Sequence, residues 1–489
     1  MPEPTVPDSY LQHIRRLLPE PQETAFIAAC ERPLRRAIRV NTRKISVDDF
    51  VSRMEKQGWT FTPVPWCASG FWVSRPVEME KALPIGKTLE HLIGLFYVQE
   101  ASSMLPPEML CQHLPEPKGW WLDMAAAPGS KTTQLAQNLG HDSLIVANEL
   151  SGSRLKSLYA NIIRSGIANV ALTHYDGRIF GERLSNCFDA VLLDAPCSGE
   201  GTVRKDPTAL RRWSLDNVRT LAHLQKQLID SAFATLRPGG ILVYSTCTLS
   251  AEENEEVCAH LLERYGEQVE YVPLTDSFPG AEKAASAFGS LRVWPHLWDS
   301  EGFFVAAFRK LGDANNIGHR GDVSGHGRFV PLSDTDHAQL MQALDDWFAP
   351  QAMPEGRFWQ RSQGRQTEIW WRPLGATALT TQLRPDRIGV QVATRIDKGR
   401  RVQWRWHHEF AATFGQYFQK QRLQVSESQL RQLFLGHNLD WPEKLASGDW
   451  LICYEQWPVG LVRATDRRIK NNFPREWLHD SLAWPDVKM

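Results

Sequence analysis

Short apolar runs alternate with longer amphipathic stretches through the middle third of the chain. Residues 120–124 (WWLDM) read as a short strand ending in an acid. A small-residue turn follows, then a helix to about Asn138, stopped by Gly140. Residues 144–149 (LIVANE) are a second strand. Between Arg154 and Ser165 the apolar residues fall at 155, 158, 159, 162 and 163, which is helical spacing, and Gly166 ends that helix. Residues 169–176 form a third strand. The nearly continuous apolar run 188–196 (FDAVLLDAP) is what a parallel strand covered on both faces requires. An amphipathic helix over 215–236, a turn at 237–240, a strand at 241–247 and a helix over 251–265 complete the series. Repeated strand–helix alternation predicts a doubly wound α/β domain.

The flanks read differently. The first hundred residues mix short helical stretches with a strand-like region around 59–73, an α+β lobe. Residues 311–328 are polar and Gly-rich and predict a linker. Residues 448–454 (GDWLICY) and 459–464 (VGLVRA), joined by a turn, read as a β-hairpin. A chain of 489 residues exceeds one hydrophobic core. The expected division is therefore 1–95 for the lobe, 96–310 for the α/β core, 311–400 for the linker and a small domain, and 401–489 for a β-rich C-terminal module.

Net charge is −1, which alone argues weakly against nucleic acid, but its distribution changes the picture. The middle is acidic and both flanks are basic. The densest basic stretch runs from Arg384 to Arg405, close to Trp404 and Trp406, and a second from Arg463 to Arg475. Basic side chains beside aromatics suit phosphate contact and base stacking; by pattern alone a solvated surface with buried tryptophans is the favoured reading. The eight cysteines, Cys30, Cys67, Cys111, Cys187, Cys197, Cys247, Cys258 and Cys453, form no CxxC pair and no zinc-spaced cluster, so no metal is expected. Scattered cysteines, no signal-like N-terminus and no run of membrane-spanning length predict a reducing, cytoplasmic setting.

In a doubly wound sheet, ligands bind at the carboxyl ends of the strands, and acids stand at three such ends. Asp123 precedes the turn Ala125-Ala126-Ala127-Pro128-Gly129-Ser130, where small side chains admit a ligand to the backbone and to the free N–H groups of the next helix. Glu149 ends the second strand, where a carboxylate can accept both hydroxyls of a ribose. Asp176 follows the third and could hold an adenine edge. These are also ordinary helix-capping positions, but three in register favour a nucleoside cofactor.

Two cysteines occupy further strand ends, Cys197 in Asp194-Ala195-Pro196-Cys197-Ser198-Gly199 and Cys247 in Ser245-Thr246-Cys247-Thr248. Carbon 5 of cytosine is a poor nucleophile. A thiolate adding to carbon 6 makes the ring enamine-like, so that carbon 5 can attack a methyl sulfonium. An acid near nitrogen 3 accommodates the charge of that addition, and a base then removes the carbon 5 proton. Two thiols and the carboxylate of Asp194 match this demand.

These motifs, with the Asp123–Lys131 segment, resemble the signatures of the NOL1/NOP2/Sun family of RNA 5-methylcytosine methyltransferases. Arg39-Val40-Asn41, Gln99-Glu100-Ala101-Ser102-Ser103-Met104, Glu252-Glu253-Asn254-Glu255 and Gly302-Phe303-Phe304 are similar to family elements as well. The resemblance runs from about residue 8 to 310. It implies a Rossmann-like methyltransferase core using S-adenosylmethionine, with Cys247 as nucleophile and Cys197 assisting release of the methylated RNA. Lys131 is implied to orient the site, and the cofactor to lie against residues 125–131, Glu149, Asp176 and Asp194. One departure is Ser130, where many members carry Gly. The C-terminal segments around Val459-Gly460 and Ile469–Arg475 resemble a PUA-like module, which favours RNA contact by the basic-aromatic stretches. The implied substrate is a cytosine of small-subunit ribosomal RNA in the assembled 30S subunit, acted on by a monomer; transfer RNA is the alternative. A DNA cytosine methyltransferase would leave the Thr-Cys strand end without a role. An inactive RNA-binding assembly factor would have no need of Cys247, Cys197, Asp194 and Lys131 together.

Overall fold

The computed structural model describes residues 6–18, 22–114, 116, 118–140, 143–313, 318, 329–364, 366–374, 383–398 and 401–479. Most of the expected linker, 314–317 and 319–328, lies outside them.

The N-terminal lobe is a four-stranded antiparallel sheet ordered β2-β3-β1-β4, with β1 at Ala37–Val40, β2 at Thr60–Val64, β3 at Cys67–Ser74 and β4 at Phe96–Val98. The strand-like region around 59–73 is thus the β2–β3 hairpin.

The middle third builds the central sheet. Its strands are β5 Trp120–Asp123, β6 Leu144–Asn148, β7 Val170–Thr173, β8 Phe188–Asp194, β9 Leu236–Thr246, β10 Val269–Val272, β11 Leu291–Val293 and β12 Phe303–Lys310. They are ordered β10-β12-β9-β8-β5-β6-β7, with β11 also on β12. β5 to β9 pair in parallel and β12 inserts antiparallel between β9 and β10. The chain steps outward from β5 through β6 to β7, then returns to β8 on the other side of β5. That reversal opens a crevice at the carboxyl ends of β5 and β8, where such sheets bind ligands.

Alternation along each strand explains the apolar runs. Trp121, Ile145, Ala190, Leu192 and Val243 pack with Leu135 of helix Ser130–Asn138 and Leu158 of helix Gly152–Ser165. Leu122, Val146, Val191 and Leu242 pack on the other face with Ile229 and Phe233 of helix Leu215–Thr235 and Leu261 of helix Glu255–Tyr265. Each buried leucine or isoleucine contributes about 1.5–3 kcal/mol, so both faces must be apolar. Two local expectations change. Residues 237–240 belong to β9, which reaches β8 through a register shift. The helix expected from 251 begins at Glu255, because Glu252, Glu253 and Asn254 turn inward.

Beyond the core lies a five-stranded antiparallel sheet, β13-β14-β15-β17-β18: β13 Val330–Pro331, β14 Gly356–Gln363, β15 Gln366–Pro373, β17 Val390–Lys398 and β18 Arg401–Trp406. Strand β16, Arg387–Ile388, lies apart from this sheet and pairs antiparallel with β7 of the central sheet. The division expected between 400 and 401 passes through the β17–β18 hairpin; the chain leaves that sheet after Trp406, where helix His408–Phe414 follows. The C-terminal unit carries β19 Arg422–Gln424 and the long hairpin of β20 Leu439–Tyr454 and β21 Trp457–Asn471, which contains the hairpin expected at 448–464. Its Ile452, Trp457 and Ile469 share one apolar cluster with Ile38, Phe50 and Phe96 of the N-terminal lobe. Arg53 pairs with Glu455 at 2.9 Å across that contact. No helix of the described residues is long and apolar enough to cross a membrane.

Candidate active site

The crevice at the strand ends collects the predicted residues in two groups. The first surrounds the turn after β5. Gly129 sits at φ 105°, a left-handed conformation that glycine adopts freely. A Cβ there would lie 2.7 Å from Leu158 Cδ1, so the turn packs tightly on the next helix. Ser130 opens helix Ser130–Asn138. Its carbonyl accepts from Arg39 at 2.8 Å, and Arg39 also donates to Gln99 and to Thr133 Oγ1, at 2.9 Å for the latter. The Arg39-Val40-Asn41 and Gln99–Met104 segments therefore fasten the lobe to the turn.

Asp123 is fully buried, and burial lifts its carboxyl pKa to about 7; Thr132 Oγ1 donates to Oδ2 at 2.6 Å. Glu149 is 3% exposed. Its Oε1 accepts from the Ser151 N–H at 2.8 Å, while Oε2 is buried with no hydrogen bond. Arg154 lies 3.3 Å from Oε2, within ion-pairing distance but outside hydrogen-bonding geometry. A buried carboxylate oxygen without a donor is unfavourable, and a ribose hydroxyl is a donor that fits it. Asp176 is placed differently: its carboxylate is engaged by the Arg178 side chain at 2.6 Å and by the Arg178 N–H at 2.9 Å, which holds its pKa below the usual range. An adenine edge would have to share or displace that guanidinium.

The second group lies where β8 and β9 end side by side, Asp194 opposite Ser245. Lys131 reaches over from the first helix. Its ammonium donates to Asp194 Oδ2 at 2.8 Å and to Ser103 Oγ at 2.9 Å, and Ser245 Oγ donates to Asp194 Oδ1 at 2.8 Å. Burial opposes the charge on Lys131, but the Asp194 carboxylate outweighs it and Cys247 adds to it, so the lysine pKa stands above its ordinary value. Cys197 and Cys247 meet with 3.2 Å between sulfurs, both half-buried. The contact with Cys247, then burial, push the Cys197 thiol well above its ordinary pKa. Either sulfur can donate to the other across that contact.

A buried polar network holds the two cysteine loops in register. Apart from Gln225, its members stand in the quoted motifs or beside them, yet their types alone assign them no role. The Ser198 hydroxyl lies within hydrogen-bonding reach of both Glu200 and Glu253, and its N–H donates to Glu253 Oε2 at 3.0 Å. Gln225 donates to Glu253 Oε2 at 2.7 Å and to the Pro196 carbonyl at 2.8 Å. Glu200 accepts from Thr248 and from Ser250, the latter at 2.6 Å; Thr246 bonds Asn254 at 2.6 Å. Burial, then Glu200, raises Glu253 to about 7. Gly201 donates to the Cys247 carbonyl at 3.0 Å and accepts from the Gly302 N–H at 2.9 Å, which gives the Gly302-Phe303-Phe304 element its place. Such a network is worth more intact than by parts, because each lost partner leaves a buried polar group unsatisfied. The acid in Glu252–Glu255 was the available sign: a charged motif just after a strand end that turns inward.

The assembled site can bind a nucleoside by Glu149, present a thiol pair to a planar ring, and place a cation where negative charge develops. Comparisons with known proteins give the family. Family models described as 16S rRNA methyltransferase RsmB/F, the N-terminal domain of RsmF and the RsmF PUA domain match residues 111–309, 6–101 and 420–479. The ribosomal RNA small subunit methyltransferase F of Citrobacter koseri is 46% identical over 476 residues, covering 97% of each chain. That of Escherichia coli O7:K1 is 45% identical over 481 residues, again 97% of each. Among solved structures, a methyltransferase homologue from Pyrococcus horikoshii is 37% identical with a TM-score of 0.52, covering 63% of this chain and all (100%) of that one. NSun6 from Pyrococcus horikoshii, determined with the S-adenosylmethionine analogue SFG, is 25% identical with a TM-score of 0.54 and covers 63% of this chain and 100% of its own. With a Rossmann-like catalytic sheet, a C-terminal PUA domain and near-complete alignment to its relatives, the chain belongs to the ribosomal RNA small subunit methyltransferase F family of S-adenosylmethionine-dependent RNA methyltransferases.

Proposed function

We propose that the protein methylates carbon 5 of a specific cytosine in 16S ribosomal RNA, within the small subunit, through a covalent bond between Cys247 and carbon 6. The observation that carries this reading is the pair of sulfurs 3.2 Å apart beside the Lys131–Asp194 ion pair. Bound S-adenosylmethionine supplies an electrophilic methyl group. The turn 125–131 and Glu149 hold it, with Asp194 and, once released from Arg178, Asp176 completing the set.

Cys247 attacks carbon 6 as the thiolate, its proton passing to solvent, with the Lys131 ammonium close enough to feel the sulfur's charge. The new carbon–sulfur bond pushes an electron pair toward nitrogen 3, where Lys131 and Asp194 provide the charge and hydrogen bonding to receive it. Carbon 5 then takes the methyl group and must lose its proton. The largest cause raising Cys197 is its contact with Cys247. Once the Cys247 sulfur is bonded to carbon, that cause is gone. Cys197 then gives its own proton to solvent, takes the carbon 5 proton as the base, and the ring expels Cys247 as a thiolate. The target base must leave its stack to meet both sulfurs.

Each cysteine fails at a different step. After incubation with cofactor and 16S RNA, Cys197→Ala should give a protein–RNA band that survives a denaturing gel, and Cys247→Ala should give none. The reversed pattern would assign the nucleophile to Cys197, as in DNA cytosine methyltransferases. Adduct in neither variant would refute the covalent reading.

A further inference from the structure

The two basic-aromatic stretches lie far apart in sequence, yet the fold brings them together. Strand β18 and the β20–β21 hairpin face each other across a cleft. A cavity of about 650 Å³ is lined by Trp404, Arg405, His407, Asp449, Arg463 and Phe473, among others. A neighbouring cavity of about 340 Å³ is lined by Trp347, Val402, Gln403, Trp404, Asp449 and Arg463. Trp404 borders both. Its ring stacks on buried Trp406, with centroids 5.9 Å apart and planes at 14°, which fixes the indole without covering it.

Charge in the cleft is asymmetric. Arg405 and Arg463 are exposed at its rim. His407 and His408 are neutral, since burial lowers them to about 3 and about 4. Asp449, the register partner of Arg463, is the one carboxylate lining the cleft among the described residues. An anionic polymer with planar faces meets these features: phosphates at the two guanidinium groups, bases against the indole, and a base amino group for Asp449. A duplex hides its base faces in the stack and would offer only phosphates.

We infer that this cleft between the five-stranded sheet and the C-terminal hairpin holds an unpaired RNA strand, with Trp404 as the stacking platform and Arg405 and Arg463 on its phosphates. The inference rests on RNA being the substrate, as proposed above, and adds which structure of RNA the enzyme holds outside its active site. Unpaired RNA next to the target would bring the reactive cytosine's neighbourhood to the enzyme already opened.

The test uses the intact enzyme and fluorescence anisotropy with a short labelled oligoadenylate, which offers no cytosine, beside a labelled RNA duplex. Binding is read apart from methyl transfer, so an enzyme that failed to methylate ribosomal RNA would still report on the cleft. Trp404→Ala should weaken the single strand by about tenfold or more, as loss of one stacked base predicts, and leave the duplex nearly unchanged. Trp404→Phe should retain most of the affinity. Arg463→Gln, on an exposed side chain, should lower the slope of log affinity against log salt by about one. If Trp404→Ala fails to fold, the Arg463→Gln slope decides. Unchanged single-strand affinity in Trp404→Ala, equal loss for duplex and single strand, or an unaltered salt slope in Arg463→Gln would overturn the inference.

Discussion

Removing the Glu149 carboxylate tests the cofactor site most directly. In the structure its Oε2 is buried and accepts no hydrogen bond, while Oε1 is occupied by the Ser151 N–H at 2.8 Å. A ribose hydroxyl donating to Oε2 would form a charge-assisted bond, worth about 1.5–3 kcal/mol. Glu149→Ala should therefore raise the dissociation constant for S-adenosylmethionine by roughly 10- to 150-fold. The same substitution also frees the Ser151 N–H, another bond to the charged carboxylate, and that loss of about 1.5–3 kcal/mol should appear as a lower Tm. Glu149→Gln separates the two effects. It keeps an acceptor for Ser151 and the shape of the site but lacks the charge, so its affinity should fall between those of the parent and Glu149→Ala. Titration calorimetry with cofactor, beside thermal melts, reads both. Unchanged cofactor affinity in folded Glu149→Ala would remove Glu149 from the site and with it the reading of the orphaned oxygen.

Other perturbations follow from the geometry. Gly201→Ala would put a Cβ 2.2 Å from the Gly302 carbonyl oxygen and 2.7 Å from that of Cys247, both backbone; kcat should fall by about 100-fold or more through displacement of the nucleophile, with cofactor affinity retained. Cys247→Ala should abolish turnover while calorimetry shows near-parental cofactor binding. Ser103→Ala removes one of the two hydrogen bonds that aim Lys131, and should lower kcat more than it raises KM for RNA. Burial raises Asp123 and Glu253 to about 7 and Glu301 to about 8. The folded state thus retains protons that the unfolded chain releases near pH 4–4.5, so these acids make Tm fall as pH rises from about 4.5 to 8. Glu253→Gln should flatten part of that fall in melts across the range; an identical slope would mean Glu253 ionises in the fold as it does unfolded.

What the chain disclosed follows from which interactions are local. Strand ends and helix spacing in 120–265 were readable because a sheet covered on both faces demands apolar runs, and those runs are contiguous in sequence. Asp194, Cys197 and Cys247 could be placed at one edge on the same logic. Residues that act through contacts between distant segments could not. Nothing in Ser103 announces that it meets Lys131, and nothing in Glu253 announces that it meets Ser198. The β9 strand begins at Leu236 although 237–240 reads as a turn, because Leu236 and Ile241 both pair with β8 while the four residues between them, with Gly239 at φ 80°, form an irregularity without ladder partners. The hairpin across residue 400 was hidden for a similar reason: a boundary was placed by composition where the pairing of β17 and β18 runs straight through.

Strand β16 has a consequence for how the enzyme can be divided. Arg387 and Ile388 add to the outer edge of β7, Arg387 lies 3.7 Å over the ring of Tyr159, and Glu409 accepts from the Tyr159 hydroxyl at 3.0 Å. The C-terminal half is stitched to the catalytic sheet rather than tethered beside it. Cutting the chain after β12 would strip the last strand from that sheet, bare the β7 backbone to pairing with other molecules, and leave Tyr159 without its cation and its carboxylate. Enzyme and RNA-holding module should thus unfold as one cooperative transition. A swap of the C-terminal half for another RNA binder would have to carry β16 with it to give a soluble catalyst.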